Sequence, residues 1–126
     1  MNAKTASHTA ATSILAHRLQ ALAQKYASQL PVKIAELRSN WNAVRLDRGN
    51  IAALENLYQL VHGLAGSGAT FGFPKISIAA QQVERYLDPG GEYAGLDLND
   101  GESGIVNLVD ALESAVAESE RRRTCP

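Results

Sequence analysis

Cysteine is nearly absent from this chain of 126 residues: the single one, Cys125, stands beside the last residue. That excludes an internal disulfide framework, denies a metal site a second thiolate and leaves an exposed tail thiol. An excess of charge of one sign is missing too. Twelve Lys and Arg against 13 Asp and Glu give a net charge of −1, which does not supply the basic face that affinity for a phosphate backbone needs. The one basic run, Arg121-Arg122-Arg123, follows Glu118 and Glu120 at the end of a predicted helix, where cations are favoured by the exposed carbonyls. No apolar stretch is long enough to cross a bilayer, and Met1 to Thr12 lacks the basic and apolar blocks of a secretory signal. The expectation is a cytoplasmic protein with no nucleic-acid partner and no membrane insertion. Met1 and the basic end suggest a free-standing chain, and a monomer is expected.

Strand-like alternation is also nearly absent, whereas apolar residues recur at helical spacing along almost the whole chain. A first helix is predicted from Ser13 to Leu30, with Leu15, Leu19, Leu22 and Tyr26 on one face and Pro31 setting its end or a kink. A second starts at Pro31 and carries Ile34, Leu37, Trp41 and Val44. Asp47-Arg48-Gly49-Asn50 forms a turn whose Asn50 caps a third helix, Ile51 to about Ala69, with Leu54, Tyr58, Val61 and Ala65 inward. Phe71-Gly72-Phe73-Pro74 breaks that helix. Pro74 opens a fourth with Ile76, Ala80, Val83 and Leu87 inside, ending at Asp88-Pro89-Gly90-Gly91. Asn99 and Glu102 have capping-box spacing ahead of a last helix bearing Ile105, Leu108, Leu112 and Val116. Such stripes bury best as an all-α, antiparallel four-helix bundle. An additional N-terminal helix covers one end or side, residues 1–12 form a flexible N-terminus, the bundle spans 13–123, and 124–126 are a flexible tail.

Three glycines, Gly63, Gly66 and Gly68, fall within the third helix, each costing about 0.8–1 kcal/mol relative to alanine. On a helix, Gln59, His62, Gly66 and Ala69 share one flank beside the inward stripe, with Gly63 next to it. His62 therefore stands on a face almost free of side-chain bulk, which something is meant to approach. Residues equidistant from the bend of an antiparallel hairpin lie level. About Phe73, His62 is eleven residues before and Glu84 eleven after. A carboxylate there accepts a hydrogen bond from one ring N–H and leaves the other nitrogen as the nucleophile.

The stretch VHGLAGSGATFGF, Val61 to Phe73, followed by Ile76, Ala80 and Glu84, resembles the histidine phosphotransfer (HPt) family. His62, Leu64, Gly66, Ser67 and Gly72 match its signature, and the compatible helix pattern extends from about Leu22 to Leu112. The resemblance implies that His62 is a phosphoacceptor bonding phosphorus through Nε2, and that Glu84 holds the other ring nitrogen. It further implies that Gly66 clears space for a docking partner, with Gln59, Gly63 and Ala69 among the surrounding docking positions. The implied partner is a response-regulator receiver domain, a hybrid histidine kinase, or both, with phosphoryl flow between His62 and the receiver aspartate in a two-component phosphorelay. One departure is Ala65, where family members often carry a lysine that offsets phosphate charge; Lys75 and Arg85 are the candidates to replace it. No P-loop, Rossmann or kinase glycine pattern occurs. The chain is then a phosphocarrier and not an enzyme, with no cofactor of its own and magnesium bound by the receiver. Two alternatives stand beside it. An adaptor bundle that binds receivers or kinases without phosphotransfer is favoured by Ala65 and opposed by the His62–Glu84 pairing. A metal-binding bundle lacks ligands, since His8 and His17 lie in or near the N-terminus and no Glu-x-x-His pairs occur in the core.

Overall fold

The computed structural model describes the backbone of residues 3–87 and 98–124, and the side chains of residues 11–87 and 99–122. Among them are four helices: α1 (Ala3–Leu46), α2 (Ile51–Ser67), α3 (Pro74–Leu87) and α4 (Leu98–Thr124). Each packs on two neighbours, α1 and α3 both lying between α2 and α4. Short turns make α1 antiparallel to α2 and α2 antiparallel to α3. The Arg38–Glu113 and Arg45–Glu102 pairs, descending along α4 as they ascend α1, make those two antiparallel as well. The predicted antiparallel four-helix bundle is therefore the fold.

Its core is the set of apolar stripes that periodicity singled out. Leu30, Leu37, Leu57, Val61, Ile76, Val83, Leu108 and Leu112 are sealed from solvent, each contributing about 1.5–3 kcal/mol of transfer free energy. The α1–α2 turn closes as its residues require. Asp47 accepts from the Gly49 and Asn50 amides, and the Asn50 side chain accepts from Ala53 N at 3.1 Å, capping α2.

Four details depart from the local sequence signals. Pro31 does not end a helix: α1 runs through it, so the predicted first and second helices are one. Proline removes one backbone hydrogen bond and crowds the preceding turn. Here its ring is exposed while Leu30 and Ile34 on either side are buried, so core packing on both sides outweighs the local cost. Residues 3–12, assigned above to a flexible N-terminus, belong to the same helix, in keeping with alanines at 3, 6, 10 and 11. The additional N-terminal helix is accordingly the first half of α1 and covers little: Leu15, Leu19 and Leu22 are about half exposed, and contact with the bundle begins at Ala23, Tyr26 and Ala27.

On α2 the buried row is Ala53, Leu57, Val61 and Leu64, with Leu54, Tyr58 and Ala65 only half buried. The inward face is turned by one position because apolar residues form two adjacent rows. On α4 the helix begins before Asn99, and Glu102 turns to another helix instead of a capping box. Its carboxylate accepts from Trp41 Nε1 and pairs with Arg45 at 3.6 Å. The Asp88–Gly91 helix end and Cys125 lie outside the described residues.

Candidate functional site

The α2–α3 turn sets the register of the site. Gly72 adopts φ +92°, a left-handed conformation that glycine takes without steric cost. The Phe73 amide donates to Gly68 O at 2.7 Å, closing the end of α2, and the Phe73 side chain is buried beneath it. The buried hydroxyl of Ser77 accepts from Ala69 N at 2.7 Å, tying the first turn of α3 to the end of α2. Gly68 permits that approach: a Cβ there would lie 2.9 Å from Ser77 N and Oγ and 3.0 Å from Ile76 Cβ.

With the hairpin held in this way, His62 and Glu84 meet. His62 Nδ1 lies 2.6 Å from Glu84 Oε1, the contact that counting about Phe73 places there. A carboxylate can only accept, so the ring nitrogen is the donor and the proton sits on Nδ1. The two ends of the pair differ in exposure, 67% for the histidine side chain and 24% for the glutamate. The carboxylate is thus set in the groove between helices, while the imidazole reaches outward. Among the described residues Nε2 has no hydrogen-bond partner.

Gln59, Gly63, Gly66 and Ala69, the four flanking positions, are all exposed around His62. Nothing lies within 4 Å of where a Cβ would be at Gly63 or Gly66. The three helix glycines therefore divide: two leave open surface beside the histidine, and Gly68 serves helix packing. Ala65 is half buried. Of the two cations considered as replacements for a lysine there, Arg85 lines a shallow cleft with Tyr58, Gln81 and Glu84. Lys75 is nine residues before Glu84, about 13 Å along α3.

Two neighbours of the site were not singled out from the sequence. Lys33 of α1 lines a cleft with Gln59, Gly63 and Ser67 on the opposite side of α2; only the pairing of α1 with α2 brings it there. Tyr58, counted from periodicity as a core residue, has its ring 5.9 Å from that of His62 at 12° and its hydroxyl donating to Glu84 Oε1 at 3.4 Å. Its place four residues before the histidine is the spacing that could have disclosed it.

Beneath the site, Tyr26 of α1 stacks on Phe71 and Phe73 and lies 2.8 Å from Ser67 Oγ. Ser67 spends its own proton on Gly63 O, so Tyr26 is the donor. Burial raises the Tyr26 pKa above its ordinary value. Among the described residues no three His, Cys, Asp or Glu side chains gather as metal ligands, and no helix is long and apolar enough to cross a membrane.

The four-helix bundle thus presents a carboxylate-held histidine on an exposed, glycine-flanked helix face. Residues 21–121, four-fifths of the chain, match the family model of the Hpt domain. The chain belongs to the Hpt domain family, whose members are phosphocarriers working with receiver domains and kinases in phosphorelays. No curated protein and no solved structure matches it.

Proposed function

We propose that His62 accepts and donates a phosphoryl group in exchange with the aspartate of response-regulator receiver domains in a two-component phosphorelay. The observation that carries this is the Nδ1 contact with Glu84 at 2.6 Å, which leaves the Nε2 lone pair free on an open surface. In the forward step Nε2 attacks the phosphorus of a receiver's aspartyl phosphate. The N–P bond forms as the P–O bond to the aspartyl group breaks, and the aspartate leaves as its carboxylate. Nδ1 keeps its proton, so the phosphorylated ring is cationic, and the Glu84 carboxylate lies against that charge. The same steps reversed deliver the group to another receiver.

Gln59, Gly63, Gly66 and Ala69 form the docking surface on this reading, and Arg85 is the cation best placed to offset phosphate charge. The chain acts as a monomeric cytoplasmic carrier, and the magnesium that phosphoryl transfer calls for is held by the receiver. A receiver or a hybrid histidine kinase is the partner.

The test is transfer from a labelled, phosphorylated receiver. The chain should take up label in an acid-labile, base-stable form, and His62→Gln should abolish uptake with little change in unfolding temperature, because the side chain is exposed. Glu84→Ala should slow transfer by roughly ten- to a hundredfold, the range for removing a partner that orients a ligating histidine. Retained label in a folded His62→Gln protein rules out His62 as the acceptor. Binding of receivers with no uptake by the unaltered chain identifies it as an adaptor.

A further inference from the structure

We infer that Tyr58 is a positioning residue for the His62 imidazole, holding it in the pose and tautomer that transfer requires; the inference rests on His62 being the acceptor. Tyr58 and His62 are four residues apart on α2, so their side chains leave the same face one turn apart. The two rings lie nearly parallel, 12° apart with centroids separated by 5.9 Å, so the tyrosine ring is offset along one side of the imidazole. Its hydroxyl reaches Glu84 Oε1 at 3.4 Å, the same oxygen that accepts from His62 Nδ1 at 2.6 Å. The three side chains close a triangle in which each touches the other two.

Each side of that triangle removes a different freedom. An imidazole tethered at Nδ1 alone still swings about that hydrogen bond and about its own χ2, whose wells are broad. An offset, nearly parallel neighbour limits how far the imidazole tilts towards that side. A second donor on Oε1, here the long 3.4 Å contact from the tyrosine hydroxyl, biases the carboxylate against rotating to offer its other oxygen or following the imidazole outward. Fixing the carboxylate on the Nδ1 side also fixes which nitrogen carries the proton, and so which one holds the nucleophilic lone pair. A tyrosine needed only as packing would do none of this: leucine fills a half-buried α2 position as well and has better helix propensity.

The experiment uses Tyr58→Phe, which keeps the ring and loses the hydroxyl, and Tyr58→Leu, which loses both. Two quantities are read in the whole chain: the ratio of Nδ1–H to Nε2–H tautomers from ¹⁵N shifts of the neutral His62 ring, and single-turnover transfer from a phosphorylated receiver across receiver concentrations. The unaltered protein should show the Nδ1–H form alone. Tyr58→Leu should show a mixture and a saturating rate lowered roughly tenfold, with the half-saturating receiver concentration unchanged, because misplacement acts on the step and not on docking. Tyr58→Phe should fall between. Unchanged tautomers and saturating rates in both variants overturn the inference, as does a loss confined to the half-saturating concentration. If Tyr58→Leu does not fold, Tyr58→Phe decides alone: a shifted tautomer ratio supports the inference, and an unshifted ratio with an unchanged rate overturns it. If the unaltered chain takes no phosphoryl group, the carrier function fails, while the ¹⁵N ratio still reports whether Tyr58 positions the ring.

Discussion

At the scale of single residues, the side chains of the site are arranged as a graded path from core to surface. Glu84 is anchored between helices, Tyr58 is half buried, and His62 reaches solvent. A largely exposed hydrogen bond of this kind adds little to stability, about 1 kcal/mol, so its geometry is better explained by what it does to the ring. Tyr26 is the opposite case, a residue whose polar contact supports the fold. Its hydroxyl donates to Ser67, which donates to Gly63 O, linking α1 to the end of α2 that bears the histidine. Burial raises its pKa in the folded state. The folded chain therefore favours the protonated phenol, and this contribution is fully present below the unfolded value of about 10 and is lost as pH rises above it. Tyr26→Phe should cost about 0.5–1.5 kcal/mol at neutral pH through the lost hydrogen bond. Thermal unfolding from neutral pH to above about pH 10 should then show a smaller alkaline loss in the variant than in the unaltered chain. An equal loss in both would assign the alkaline change to other groups.

At the scale of helices, the two glycines that look alike in sequence have opposite consequences. Gly66 has open space where a side chain would go, and Gly68 has the backbone of Ser77 there. Gly66→Arg should keep or raise stability, by up to about 1 kcal/mol on helix propensity, while blocking transfer because the arginine fills the approach to His62. Gly68→Ala should destabilise by about 1–3 kcal/mol, since a Cβ at 2.9 Å forces α3 away from α2. Denaturant unfolding and the transfer assay on both proteins check the contrast; normal transfer by folded Gly66→Arg would remove this face as the docking surface. The α2–α3 hairpin was legible in the sequence because a tight turn leaves only one register, so Ile76, Ala80, Val83 and Leu87 fell inside and His62 met Glu84. What escaped depended on partners distant in sequence. Glu102 has capping spacing but is drawn to Trp41, 61 residues away. The inward face of α2 was one position off because its two apolar rows are equivalent until α1 and α3 choose between them. Lys33 reaches the site only through such a pairing, whereas Tyr58, one turn before His62 on α2, was legible from its spacing.

At the scale of the whole molecule, the bundle and α1 have different extents. Along α1 every described side chain from residue 11 to residue 22 is exposed, whereas Ala27, Leu30, Ile34 and Leu37 are buried in the common core. The family match begins at residue 21, close to where packing begins. Pro31 lies inside the packed part, and that explains how one helix spans a residue that ought to divide it: tertiary contacts on both sides hold the backbone helical, while the N-terminal half rests on helix propensity and on Leu19 and Leu22, which line a groove with Phe71 and Phe73. Cooperative stability should therefore reside in the segment from about residue 21 onward. Deleting residues 1–18 should lower the helical circular-dichroism signal while leaving the unfolding midpoint of the remainder nearly unchanged, because no described buried side chain is removed. Leu37→Ala, one substitution at a fully buried position, should cost about 2–5 kcal/mol. Transfer to His62 should survive the deletion, since Tyr26, Lys33 and the α2–α3 hairpin all remain. A midpoint that falls as far on deletion as in Leu37→Ala would mean that the N-terminal half of α1 buries its leucines against something in solution, and the concentration dependence of that midpoint would reveal whether the covering surface is a second copy of the chain.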